Sequence, residues 1–296
     1  MTEINFKQVD VFTNKKFKGN PVAVFFDADN LSSEEMQAIA SWTNLSETTF
    51  VLKPTTKDAD YRLRIFTTAN ELPFAGHPTI GSCFALIESG LVQSHDGKLI
   101  QECSAGLVEI LVDGDASNPS DLFLSFKLPY FHITSIDESL ELAIDEELKI
   151  PAGSCSIVES PVLLDVGPKW LTIQLSEGND VLNLEPNYAE VLRLSLLYGW
   201  TGLQVFGKHS NGTYESRSFP LAVGVKEDPA CGSGAGAIGV YLSMISAKDT
   251  RSVDVSQGCK IGRDAKLRVS VENFTDKPTI SVGGQAVTCI KGTYIA

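Results

Sequence analysis

Short apolar runs punctuate this chain at 22–26, 107–112, 122–126, 170–175 and 267–271, some alternating with polar residues and some continuous. Each has the length of a strand and is bounded by Gly, Pro, Asn or Asp, so strands dominate the expected structure. Helical spacing is rarer. Ser32 and Glu35 form a capping box ahead of Met36, Ile39 and Ala40. A helix is expected over 186–197, stopped near Gly199, and an acidic, solvated one over 137–148. Residues 77–87 carry Pro78 as first helical residue and Gly90 just past the end. The stretch from Ser233 to Leu242 holds Gly234, Gly236 and Gly239, and each interior helical glycine costs about 1 kcal/mol. Such a helix is expected where neighbours crowd it, as when it threads a layer of strands. The pattern predicts an α+β fold and not a βαβ repeat.

Two segments recur. Pro73-Phe74-Ala75-Gly76-His77 aligns with Pro229-Ala230-Cys231-Gly232-Ser233, and Gln101 to Gly106 aligns with Gln257 to Gly262, both at a step of 156 residues. Arg64-Ile65-Phe66 precedes the first P-x-x-G and Arg217-Ser218-Phe219 the second. The shared spacing implies two homologous halves, 1–116 and 117–285, joined through the turn formers of 113–121. A length of 296 residues suits two domains.

Charge narrows the partners. Lys and Arg number 24 against 37 Asp and Glu, and a net charge of −13 repels nucleic acid and anionic membranes alike. The first ten residues mix charges where a secretory signal needs an apolar core, so a cytoplasmic protein is expected. The uncharged run 229–247 approaches membrane-spanning length, but its glycines and serines fit a packed interior helix better. Six single cysteines, expected to be mostly buried thiols, give neither a disulfide framework nor zinc-ligand spacing. Residues 234–239 match G-x-G-x-x-G, yet Lys226-Glu227-Asp228-Pro229 stands where a dinucleotide site needs a strand running into the first glycine. Ser233, His77 and Asp228 have the residue types of a hydrolase triad, but Gly232-Ser233-Gly234 is not a nucleophile elbow.

Helix starts present free N–H groups and positive dipole ends, which suit a carboxylate. Gly76, Gly232, Ser233 and Gly234 are therefore candidates to cradle a substrate acid; caps and tight turns account for the same residues. His77 and Asp228 occupy matching places in the two halves, where capping and turn stabilisation are the commoner roles. Glu47 lies in Asn44-Leu45-Ser46-Glu47-Thr48-Thr49-Phe50, an acid in a strand context. If partly buried, its carboxyl has a raised pKa suited to passing a proton to and from carbon; a solvated edge-strand acid is the alternative.

The segment around Glu47, together with Leu72-Pro73-Phe74-Ala75-Gly76-His77-Pro78-Thr79-Ile80-Gly81 and Glu227-Asp228-Pro229-Ala230-Cys231-Gly232-Ser233-Gly234, resembles the motifs of PhzF-like proteins, the phenazine-biosynthesis isomerase family. Val9-Asp10-Val11-Phe12 and Gly19-Asn20-Pro21-Val22-Ala23-Val24 fit as well, so the resemblance spans nearly the whole chain. It implies a diaminopimelate-epimerase-like fold of two pseudo-symmetric domains, each a strand-rich, barrel-like sheet wrapped around a central helix. It further implies an active site between the domains, a homodimer, and a C-terminal strand, 286–296, returning to the first half. The implied chemistry is isomerisation of a small carboxylic acid without cofactor or metal. Glu47 would then be the acid/base, with His77, Asp228 and Ser233 orienting the substrate. The runner-up is amino-acid racemisation or epimerisation by two thiols. Cys231 occupies one thiol position, at a helix start whose dipole would lower its pKa, but one repeat step earlier stands Ala75. A non-catalytic acid-binding or scaffolding protein is the remaining alternative.

Overall fold

The computed structural model describes residues 3–136, 140, 144, 157–245, 251–273 and 277–295. The helix expected over 137–148, apart from the helical and buried Leu140 and Ile144, lies outside the described residues, as does Cys155. The chain forms two compact units, residues 1–127 with 283–296, and residues 128–282.

Unit 1 contains β1 (Glu3–Val11), β2 (Asn20–Phe25), β3 (Glu47–Leu52), β4 (Tyr61–Phe66), β5 (Glu71–Leu72), β6 (Lys98–Cys103), β7 (Gly106–Asp113) and β8 (Phe123–Lys127). Its helices are α1 (Ser33–Thr43) and α2 (Gly76–Glu88). From β2 the order is β3 in parallel, β4 antiparallel, β6 parallel and β7 antiparallel. The chain leaves the unit after β8 has paired antiparallel with β7. The capping box forms as expected: Ser32 Oγ accepts from the Glu35 N–H, and the Glu35 carboxylate accepts from the Ser32 N–H. Met36, Ile39 and Ala40 of α1 then pack on Phe25, Phe50 and Phe66, whose rings stack or meet edge-on at 5.3 and 5.5 Å.

Every residue of α2 from Gly76 to Ile87 is buried, which makes it the central helix of its unit. A β-carbon on Gly81 would stand 2.4 Å from Val22, so only glycine lets the helix approach β2. The helix begins two residues earlier than its proline suggests: Ala75 is the N-cap and Pro78 the third helical residue. Since the first four helical N–H groups have no intrahelical partner, proline is tolerated there as readily as at the first position. At the other end Gly90, with φ of 67°, and Leu91 donate back to the carbonyls of Ile87 and Leu86, a Schellman stop.

Unit 2 holds β9 (His132–Thr134), β10 (Val162–Asp165), β11 (Lys169–Leu175), β12 (Gly202–Lys208), β13 (Tyr214–Phe219), β14 (Arg251–Gln257) and β15 (Ala265–Glu272). Its helices are α3 (Gly178–Asn183), α4 (Tyr188–Tyr198) and α5 (Gly232–Ile245). From β11 the order is β12 parallel, β13 antiparallel, β14 parallel and β15 antiparallel. The chain returns to unit 1 within β16 (Thr279–Gly284), and β17 (Ala286–Ile295) pairs antiparallel with β1 from Ala286↔Val11 to Ile295↔Glu3. The glycines of α5 are crowded: a β-carbon on Gly239 would lie 2.6 Å from Ile280 and 2.7 Å from Val269.

The whole is a mixed, sheet-rich α+β fold with few helices. Among the described residues no helix is long and apolar enough to cross a membrane. The cysteines are less buried than expected. Only Cys83 and Cys231 of the five described are buried, because Cys103 and Cys259 stand at turns and Cys289 lies on partly exposed β17.

Candidate active site

Glu47 is the first residue of β3 and pairs in parallel register with Val22. That register sets its side chain beside the start of α2, whose second residue is His77. Glu47 Oε2 lies 3.4 Å from His77 Nε2, and the two side chains are 17% and 7% exposed. The other ring nitrogen donates to Pro21, which has only a carbonyl to offer. Burial pushes the imidazole down to about 3, against the opposing pull of the Pro21 bond. His77 is therefore neutral at ordinary pH, and Nε2 faces Glu47 as an acceptor. Thr49 Oγ1 shares a 2.8 Å hydrogen bond with Ser82 Oγ, tying β3 to α2 just behind the pair. Gly76 opens the helix. A β-carbon there would stand 2.5 Å from the Phe126 ring.

In unit 2 the second residue of α5 is Ser233. Its hydroxyl accepts from the Trp170 indole at 3.1 Å and lies 3.4 Å from Cys231 Sγ. Cys231 caps the helix, accepting the Gly234 N–H at 3.2 Å. The helix dipole does not lower this thiol. Burial and the nearby Asp228 push it up to about 12, which outweighs the bonds from Ser233 and Gly234. Gly232 is buried at the helix start, and a β-carbon on Gly234 would strike Gln204 Oε1 at 2.1 Å.

Asp228 opens the turn into α5. Its Oδ1 accepts from the Ala230 N–H at 2.9 Å. The residue as a whole is only partly buried, yet protein packs closely around its carboxyl, and that desolvation pushes it up to about 6. Behind it Gln257 Nε2 donates to the Asp228 carbonyl at 2.8 Å and to Ser218 Oγ at 3.2 Å, and Ser218 in turn bonds Gln204. Gln101 does similar work in unit 1, donating to Thr79 Oγ1 at 3.1 Å and accepting from Tyr61 at 3.2 Å.

The structure thus brings Glu47 to His77 within unit 1, and holds Asp228 and Ser233 at two ends of one turn in unit 2. It adds Pro21, Trp170 and the Gln257 network, to which sequence reasoning gave no role. Trp170 carried a usable signal, since a buried indole N–H needs an acceptor. Among the described residues no group of three or more His, Cys, Asp or Glu is placed to hold a metal ion.

Residues 9–292 match the PhzC-PhzF family, described as phenazine biosynthesis-like protein. The chain is 54% identical to antisense-enhancing sequence 1 of Schizosaccharomyces pombe over 99% of both chains. It is 33% identical to the trans-2,3-dihydro-3-hydroxyanthranilate isomerase of Pseudomonas chlororaphis, over 97% of this chain and 98% of that one. Among solved structures, a Bacillus anthracis phenazine biosynthesis protein of the PhzF family aligns over 100% of both chains, with a TM-score of 0.86 and 26% identity.

Proposed function

This chain belongs to the phenazine biosynthesis-like family and is an isomerase, and on that premise we propose that it moves a proton between two carbons of a small carboxylic acid without a cofactor. The Glu47 carboxylate takes the proton, breaking a C–H bond and forming O–H while the substrate's electron pair spreads into its unsaturated system. The same group then delivers a proton to a second carbon, and exchange of the carboxyl proton with solvent while Glu47 holds it lets solvent deuterium enter the product. While Glu47 holds it, the His77 lone pair is placed to accept a hydrogen bond from the acid. The buried His77 ring, its Nε2 3.4 Å from the Glu47 carboxylate and its other nitrogen held by Pro21, is the observation that carries the reading.

Asp228 and Ser233 orient the substrate's polar groups, and Gly76 and Gly232 offer helix-start N–H groups to its carboxylate. The Gly234 N–H is already engaged by Cys231, so Gly234 serves by permitting close approach. The reading includes one site served by both units, two units that are pseudo-symmetric copies, and a cytoplasmic homodimer. The matching succession of strand pairings supports the copies. Two-thiol epimerisation is disfavoured by a thiol at about 12 and by Ala75 at the partner position.

The test is proton NMR in deuterated water with trans-2,3-dihydro-3-hydroxyanthranilate and other unsaturated small acids. The expected result is a shifted double bond with deuterium at the new C–H position in at least one of them. Saturable binding of such acids with no exchange would favour the non-catalytic reading.

A further inference from the structure

Apart from the residues assigned above, unit 2 holds a cavity of about 330 Å³ whose lining includes Arg217, Glu227, Lys226, Lys260, Tyr188 and Glu185. It lies on the other face of β13 from the Ser218 network, because Arg217 and Ser218 are successive strand residues and project to opposite sides. Arg217 and Glu227 satisfy each other through two bonds of 3.0 and 2.9 Å. The remaining Arg217 nitrogen donates to the carbonyls of Leu184 at 2.6 Å and Val181 at 3.3 Å. This pair forms the wall. The other charged residues of the lining are Lys226, Lys260 and Glu185, all three exposed.

Constrained backbone or packing presents both lysines. Lys226 Nζ sits 4.4 Å from the centre of the Tyr188 ring. Lys260 rides on a turn closed by the N–H groups of Ile261 and Arg263 on the Gly258 carbonyl, at 3.0 and 2.9 Å. Gly258 and Gly262 flank it with φ of 89° and 77°, values that side chains rarely adopt.

Unit 1 supplies an internal control. Arg64 clamps Glu71 with bonds of 2.8 and 2.6 Å and lies 5.0 Å over Phe66, as Arg217 lies 4.9 Å over Phe219. One repeat step of 156 residues before Lys226 and Lys260, however, stand Asn70 and Ser104. The arginine clamp therefore needs no lysines. In a chain of net charge −13, two of them on one small cavity call for a separate reason.

We propose that this cavity binds a small dianion of the phosphate monoester class. Lys226 and Lys260 take the phosphate oxygens, and Glu185 accepts from a hydroxyl on the ligand's carbon skeleton. The volume suits a metabolite of a few carbons. Two ammonium groups against one exposed carboxylate favour a doubly charged group over a neutral one.

The experiment is calorimetric titration of the full chain with glycerol 3-phosphate, with glycerol as the uncharged control. Saturable binding is expected for the phosphate ester and none for glycerol. Lys226→Gln and Lys260→Gln should each weaken it about ten-fold, and added salt should weaken it further. Glu47→Gln should leave it unchanged, so this test stands or falls apart from the catalytic reading. Melting curves of the lysine variants keep a folding defect visible. Equal affinity in the double lysine variant, or no binding at millimolar ligand, would overturn the proposal.

Discussion

In unit 1 the first residue of β3, Glu47, pairs with Val22, and Glu47 itself meets the second residue of α2. In unit 2 the first residue of β12, Gly202, pairs with Trp170, and Trp170 is what meets the second residue of α5. The strand pairings around them run in the same senses, yet one helix start faces a carboxylate and an imidazole and the other an indole and a hydroxyl. Gly202 leaves no room for an acid, since a β-carbon there would lie 2.0 Å from the Phe219 carbonyl. Similar frames thus carry unlike chemistry at the helix starts: the start of α2 meets a carboxylate that can take up a proton, and the start of α5 meets an indole N–H fixed on the Ser233 hydroxyl.

The comparison breaks most visibly at His77. His77→Leu removes the acceptor facing Glu47 and should lower turnover about 100-fold. Ser233→Ala, which removes the hydroxyl proposed to orient the substrate, should cost about ten-fold, with more of the loss in KM. Steady-state kinetics on an identified substrate measures both. Equal losses would erase the division of labour.

Next in size is Gly234→Ala. The new methyl meets Gln204 Oε1 inside a bonded network, so a loss of roughly 1–3 kcal/mol in denaturant unfolding is expected.

Acid titration separates the units by sign. Unfolded His77 takes a proton near 6.5 and the folded residue only near 3, so stability falls as pH drops through that window. Asp228 behaves oppositely. Folded it titrates near 6 and unfolded near 3.8, so the native state binds the extra proton and gains stability as pH falls between them. Asp228→Asn should steepen the acid loss between these values, and His77→Gln should flatten or reverse it. Unfolding at a series of pH values reads both slopes.

Smaller still, Trp170→Phe should cost about 1 kcal/mol of stability for the lost Ser233 bond. Cys231→Ser should leave turnover within about two-fold, because a buried thiol at about 12 is no proton carrier.

What the sequence discloses depends on distance along the chain. The Ser32–Glu35 box spans three residues and reads directly, and the glycines of α5 announce crowding because each one alone costs the helix stability. The start of α2 is misjudged by two residues because proline is tolerated anywhere in the first turn. Glu47 and His77 emerge as candidates from motif and position, but their 3.4 Å approach depends on the register of β3 against β2. Trp170 and Ser233 are 63 residues apart, and nothing local to either one names the other. The dipole argument for Cys231 fails because the sequence does not state how deeply a helix start is buried, and burial prevails there.

On the proposed mechanism the migrating proton is carried in unit 1, by Glu47. Deuterium wash-in at the reacting carbon, followed by NMR in deuterated water, tests it most directly in Glu47→Gln, Ser233→Ala and Asp228→Asn enzymes saturated with substrate. Wash-in is expected to fall to the uncatalysed background in Glu47→Gln, and to slow but persist in the other two. Wash-in at the normal rate in Glu47→Gln, or its abolition in Asp228→Asn alone, would contradict it.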